Sequence, residues 1–250
     1  MIRRFFMKNL ALALGLMLPA VGYAGKTLPN VPSDCMDDIE LQSYCASTKA
    51  PIFKGPVKVA FFVVVGKSEF PSVESAVERY MDFDAWADYV AASGQDNVEI
   101  DLSTTLDPIP AKEGSNEVFR QYSAYRMKAP VVGWQEVRAV SHNYEVPAYD
   151  GALTSVDFVI QNSGSQEVPV GEAPLNGSEG VKSQTGSLHV VSCEKSELCS
   201  EDQMLLIYES TITPDIDILP SVAAGAIKDA IGGIVIGMFL ELGAGDGEVL

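Results

Sequence analysis

The sequence predicts an α+β fold: a curved antiparallel sheet wrapped on a long C-terminal helix, with two short helices after the first strand. Three observations carry this. Residues 57–65, V-K-V-A-F-F-V-V-V, are an unbroken β-branched and aromatic run between Gly55-Pro56 and Gly66, the pattern of a strand covered on both faces. From about residue 98 to 213 the texture is a series of alternating runs joined mostly by short connections, as in an antiparallel meander. The chain then closes with one long apolar run, about 214–242.

The start of the chain reads as a targeting segment. Arg3, Arg4 and Lys8 precede a short apolar stretch from Leu10 to Leu18, then Pro19 and the small-residue site Gly22-Tyr23-Ala24. This is the plan of a secretory signal peptide, 1–24, cut after Ala24. Its bacterial style points to export into the periplasm. The whole chain carries a formal charge of −17, and loss of those three basic residues takes the mature form to −20. Such a chain repels nucleic acid and anionic headgroups at long range. Cys35, Cys45, Cys193 and Cys199 all follow the signal and so meet an oxidising compartment. Their spacing pairs Cys35 with Cys45 and Cys193 with Cys199. The chain has only two histidines, which favours disulfides over a metal site.

Residues 25–56 read as a polar N-terminal extension ahead of a domain spanning 57–250, with a short helical turn near 37–44. After strand 57–65, Pro71 and Glu74 open a helix whose apolar stripe is Val73, Val77, Tyr80 and Met81. Asp82 breaks it, and Asp84 caps a second short helix carrying Trp86, Tyr89 and Val90. Strands follow at 98–106, 119–127, 131–144, 152–161, 187–192 and 204–213. The exception to short connections is 162–186, Gly- and Ser-rich, a length that marks a functional or disordered loop.

The last run reads as one helix beginning near Pro220. At 100° per residue, Ser221, Gly225, Lys228, Asp229 and Gly232 share one wedge. Leu219, Val222, Ala223, Ala226, Ile227, Ala230, Ile231, Ile234 and Met238 cover the other side, so this is an amphipathic helix built to lie on something. The length tempts a transmembrane reading. Lys228 and Asp229 near its middle argue against it, because a charge at the bilayer centre costs at least about 2.5 kcal/mol. Only this helix is large enough to cover the sheet.

Three segments carry a resemblance to a known family. They are 57–65 followed by P-S-V-E-S-A-V-E-R-Y-M-D-F-D-A-W-A-D-Y-V, the late strand L-L-I-Y-E-S-T-I-T-P, and I-L-P-S-V-A-A-G-A-I-K-D-A-I. Over about 57–242 the chain resembles the START-like superfamily, the helix-grip fold shared with Bet v 1 proteins and polyketide cyclase/dehydratase-type bacterial proteins. The N-terminal cysteines and the 193–199 hairpin depart from that pattern. The resemblance implies a cavity between sheet and helix that holds a hydrophobic small molecule or lipid. It fixes no one activity.

On that plan the ligand-binding candidates are Trp86, Tyr122, Arg126, Trp134, Tyr144, Phe158, Tyr208, Ile227, Ile231 and Ile234, with Tyr125 beside them. Arg126 stands out as a cation able to meet a ligand carboxylate or phosphate. No nucleophile elbow, zinc-binding or nucleotide-binding motif occurs, and no catalytic residue, metal or cofactor is assigned. A hydrophobic carrier is the first reading. A cyclase- or hydrolase-like enzyme in the same cavity is an alternative, with Glu209, His142 and Asp157 as first candidates. A structural or interaction protein with a filled interior is another. A pocket above roughly 300 Å³ favours the first two. Ile236 and Phe239 break the polar wedge; either residues 25–56 pack over them, or they and loop 162–186 border the cavity mouth, where a transient membrane contact would fall.

Overall fold

A computed structural model describes residues 26–33, 35–52, 54–94, 96–106, 117–129, 133–161, 181–195, 198–214 and 219–240. The expected signal peptide, 1–24, lies outside them. The elements run α1 (Cys35–Gln42), β1 (Tyr44–Lys49), β2 (Val57–Gly66), α2 (Val73–Met81) and α3 (Trp86–Ala92). Then come β3 (Val98–Leu106), β4 (Glu117–Ala129), β5 (Gly133–Val146), β6 (Thr154–Gln161), β7 (Val181–Ser192), β8 (Gln203–Pro214) and α4 (Pro220–Phe239). The strands form one sheet in the order β1-β2-β8-β7-β6-β5-β4-β3, and every pairing is antiparallel. With α4 packed on one face, this is the α+β helix-grip arrangement.

β2 shows why its sequence is apolar throughout. Val57, Val59, Phe61, Val63 and Val65 enter the main core beneath α4. Ala60, Phe62 and Val64 point to the opposite, convex face and join Ile39 of α1, Leu205, Ile207, Cys35, Cys45 and Cys193 in a second cluster. The disulfides Cys35–Cys45 and Cys193–Cys199 are both formed, at Cα separations of 5.4 and 5.3 Å. They fasten α1 to β1 and the tip between β7 and β8. Within residues 25–56, β1 pairs with β2 from Tyr44↔Val63 to Lys49↔Lys58. Its polar composition, Y-C-A-S-T-K, suits an edge strand.

α2 starts on Ser72, not Pro71: Ser72 and Ser75 each accept from the other's backbone N–H in a reciprocal box. Asp82 ends the helix, and a short 3₁₀ turn, Phe83–Ala85, leads into α3. Two expectations are corrected. The strand read from 187 begins at Val181, because Gly186 is a strand glycine. A Cβ there would stand 2.4 Å from the Phe158 ring and 2.2 Å from the Glu209 carbonyl, so close packing rather than a turn requires it. The remaining loop, 162–180, lies outside the described residues.

The other correction concerns α4. Ser221, Gly225 and Asp229 are exposed as expected, but so are Leu219 and Val222 at its start. Gly232, expected on the polar wedge, packs against Phe61. By length and composition α4 passes for a membrane span, yet its C-terminal half is buried against α3 and the sheet. Phe239 is 2% exposed and meets Phe70 edge-on at 5.9 Å. Neither Phe239 nor Ile236 lines the cavity, so the mouth and the membrane contact expected there lose their residues.

Candidate functional site

Strand alternation sorts the candidates by face. Counting along β4 and β5 by twos, Gln121, Ser123, Tyr125, Met127 and Ser141 face α4 and line an interior cavity. On β6 to β8 the same face carries Phe158, Ile160, Gln184, Tyr208 and Ile212, and on α4 it meets Ile227, Ala230, Ile231 and Ile234. Tyr80 and Trp86 close the end beneath α2 and α3. Of the candidates, Trp86, Phe158, Tyr208, Ile227, Ile231 and Ile234 come together here.

Tyr122, Arg126, Trp134 and Tyr144 do not. Each is one residue out of phase with the lining positions of its strand. Tyr122 packs with Ala124 and Val140 on the convex side. Arg126 is 44% exposed on its side chain and pairs with Glu99 and, at 3.2 Å, Asp101. Its guanidinium lies 5.9 Å from the ring of Trp134, itself 40% exposed. Arg126 is thus a surface cation on its own acids.

The cavity is tight. Its walls bound about 670 Å³ of non-atom space, mouth included, but only about 50 Å³ admits the centre of a water-sized sphere. At about 10–15 Å³ per water on that measure, the space holds about four waters. This falls short of the 300 Å³ expected of a preformed pocket; the interior is a narrow slit.

The slit has two unlike sides. α4 presents only aliphatic groups. The sheet presents Gln121, Ser123, Ser141, Gln184, Tyr125 and Tyr208, and Tyr80 of α2 joins them from the end. Gln121 Nε2 donates to Ser103 Oγ at 2.8 Å, and the Tyr80 hydroxyl donates to Asn143 Oδ1 at 3.1 Å. Burial raises all three tyrosine pKa values, so these hydroxyls stay protonated; those of Tyr125 and Tyr208 can donate to a ligand, while that of Tyr80 already donates to Asn143. Tyr80 also sits in an aromatic cluster, 6.1 Å from Phe83 and 5.8 Å from Trp86.

The acids and histidine named for catalysis lie on the convex face instead. His142 Nδ1 is 2.7 Å from Glu117 Oε1, both side chains nearly inaccessible. Asp157 accepts from Lys26 Nζ at 2.8 Å, from Ser187 Oγ at 2.7 Å and from Tyr149 at 3.0 Å. Glu209 stands 3.4 Å from Nε2 of the fully buried His189, whose Nδ1 meets Ser155 Oγ at 2.9 Å. Hydrogen bonds to Asp157 and then Tyr149 raise the Lys26 pKa. Lys26 and the Thr27–Asp150 bridge pin the N-terminal segment over this network. None of these groups lines the cavity, whose described walls carry no carboxylate, imidazole or thiol.

The lining missed in the sequence is Tyr80, Ile100, Gln121, Ser123, Met127, Ser141, Ile160, Val181, Gln184, Ile212 and Ala230. The period-two count on β4 was a usable signal for Gln121, Ser123 and Met127, given one anchored neighbour. Nothing local marked Tyr80, which reaches the cavity only because α2 is laid across the sheet end.

No protein-family model matches this chain, and no curated protein does. Among solved structures, it is similar to a START superfamily protein from Mycobacterium smegmatis. That match has a TM-score of 0.41 and 12% identity, over 74% of this chain and 94% of that one. It is also similar to human STARD10, with a TM-score of 0.41 and 8% identity, over 87% and 84% of the two chains.

Proposed function

We propose that this is an exported protein that binds a hydrophobic, lipid-like molecule between its sheet and α4, the slit widening to admit it. The observation that carries this is the mixed lining. A core that merely filled would gain nothing from Gln121, Ser123, Ser141, Gln184 and three tyrosine hydroxyls facing Ile227, Ala230, Ile231 and Ile234. Burying such groups costs about 1–3 kcal/mol each unless they are satisfied; Ser103 and Asn143 satisfy Gln121 and Tyr80, which leaves the hydroxyls of Ser123 and Tyr125 for a ligand. A few polar groups on an apolar wall orient a ligand. Binding rather than catalysis fits a lining that offers hydrogen bonds and no general base. Two disulfides in a short N-terminal clip and a hairpin tip support the exported setting.

The small open volume favours a second reading, an interaction protein with a filled interior. One experiment separates them. The mature protein, purified without detergent, is incubated with decanol and examined by native mass spectrometry. A one-to-one adduct supports the carrier. A bare mass over the whole concentration range supports the filled interior.

A further inference from the structure

The polar groups of the slit can be followed one by one. Gln121 is held by Ser103, and Tyr80 by Asn143. The Asn143 amide reaches Ser141 Oγ at 3.4 Å, and Gln184 hydrogen-bonds the Tyr208 hydroxyl. The hydroxyls of Ser123 and Tyr125 remain. Both line the cavity, and neither has a hydrogen-bond partner among the described residues. Ser123 is 5% exposed, and Tyr125 lies deep in the protein.

The strand register puts them there and supplies nothing to satisfy them. They are successive inward positions on β4, about 7 Å apart along the strand. The alternate residues, Tyr122 and Ala124, pack on the convex side, so turning the strand over would bring those inward instead. Their neighbours across the sheet are Ala139 and Val137 on β5 and Ser103 and Ile100 on β3. Only Ser103 among these has a polar side chain, and it is taken by Gln121. Opposite them α4 offers Ile227, Ala230, Ile231 and Ile234.

The described walls also carry no charged side chain. The titratable groups that face the slit are Tyr80, Tyr125 and Tyr208, all kept protonated by burial. A ligand entering here displaces solvent from Ser123 and Tyr125, and it loses affinity unless it returns a hydrogen bond. An acceptor oxygen returns one. A carboxylate meets no counter-charge, so a carboxyl group enters only in its protonated form.

We propose that Ser123 and Tyr125 form a polar subsite for an uncharged acceptor oxygen of the ligand, as in a ketone, ester or alcohol, and that fatty-acid anions are refused. This rests on the carrier reading and names its ligand class. The aliphatic part of the molecule lies along α4, and its oxygen turns toward β4.

The test uses 2-decanone, dec-1-ene and decanoate, each displacing an apolar fluorophore from the mature protein. In Ser123→Ala/Tyr125→Phe, which keeps the shape of the wall, 2-decanone affinity falls about three- to tenfold, the net worth of a hydrogen bond. Dec-1-ene affinity is unchanged, which also shows that the variant is folded. Tyr125→Phe alone gives the same pattern at smaller size. In the wild type, decanoate weakens about a hundredfold from about pH 5.5 to about pH 7.5, above the carboxyl pKa, while 2-decanone stays level. Equal effects on ketone and alkene in both variants, or decanoate binding that is level in pH, overturn the proposal while the carrier reading stands. Absence of both 2-decanone and dec-1-ene binding to the wild type overturns both.

Discussion

Replacing Ala230 with leucine tests whether the slit is real space. Ala230 is 3% exposed, at the middle of α4, and borders the cavity. Leucine adds three carbons. The open space of about 50 Å³ equals about four waters, so the added carbons fit within it in principle. Three buried carbons are worth at most about 2.4 kcal/mol of transfer free energy, and imperfect shape takes most of that back. The expected net change in stability is within about 1 kcal/mol, or about 2–4 °C in melting temperature for a chain of this size. Displacement of an apolar fluorophore by decanol is expected to be lost. The assays are thermal melting by circular dichroism and fluorophore titration. A loss of about 3 kcal/mol or more, the cost of overpacking a filled core, would refute the reasoning, as would unchanged decanol binding.

Four further outcomes follow from the packing and the titrating groups. Gly237→Ala places a Cβ 2.1 Å from the Tyr89 carbonyl oxygen, forcing α3 and α4 apart; melting is expected to show a loss of at least about 3 kcal/mol. Tyr80→Phe removes the donor to buried Asn143 Oδ1, costs about 1–3 kcal/mol, and quickens fluorophore uptake in stopped flow. Opening Cys193–Cys199 or Cys35–Cys45, which close loops of 6 and 10 residues, is expected to cost about 2–3 kcal/mol each, read by denaturant titration with and without reductant. Tyr80, Tyr125 and Tyr208 have raised pKa values from burial, and Lys26 from its bonds to Asp157 and Tyr149. Groups with raised folded-state pKa values hold their stabilisation below the unfolded value and lose it as pH rises. The melting temperature is therefore expected to fall from about pH 10 upward, less steeply in Tyr125→Phe; a flat profile to pH 11 contradicts this.

Much of the fold was legible because each signal was strong and local. Residues 57–65 allowed no polar face, so a strand covered on both sides followed, and both covering clusters exist. The two disulfides followed from the spacing of four cysteines in a chain read as exported. β1 was not legible: Y-C-A-S-T-K has no apolar alternation, and its strand character comes from pairing with β2. The start of β7 was hidden because Gly186 reads as loop in sequence and as close packing in space. The site was half legible. Helix periodicity placed Ile227, Ile231 and Ile234 on the apolar face of α4, and that face lines the cavity. Tyr122, Arg126, Trp134 and Tyr144 were misplaced because a period of two gives each strand's faces but not which of them turns toward α4. Chemical appeal then favoured aromatic and cationic residues over Gln121, Ser123, Ser141 and Gln184, which the register selects.

The central claim, a ligand between the sheet and α4, is tested most directly by native mass spectrometry of the exported protein recovered without detergent. The expected spectrum shows a hydrophobic molecule bound one to one, exchangeable with decanol and absent in Ala230→Leu. A bare mass before and after incubation, with the variant behaving as the wild type, would contradict it.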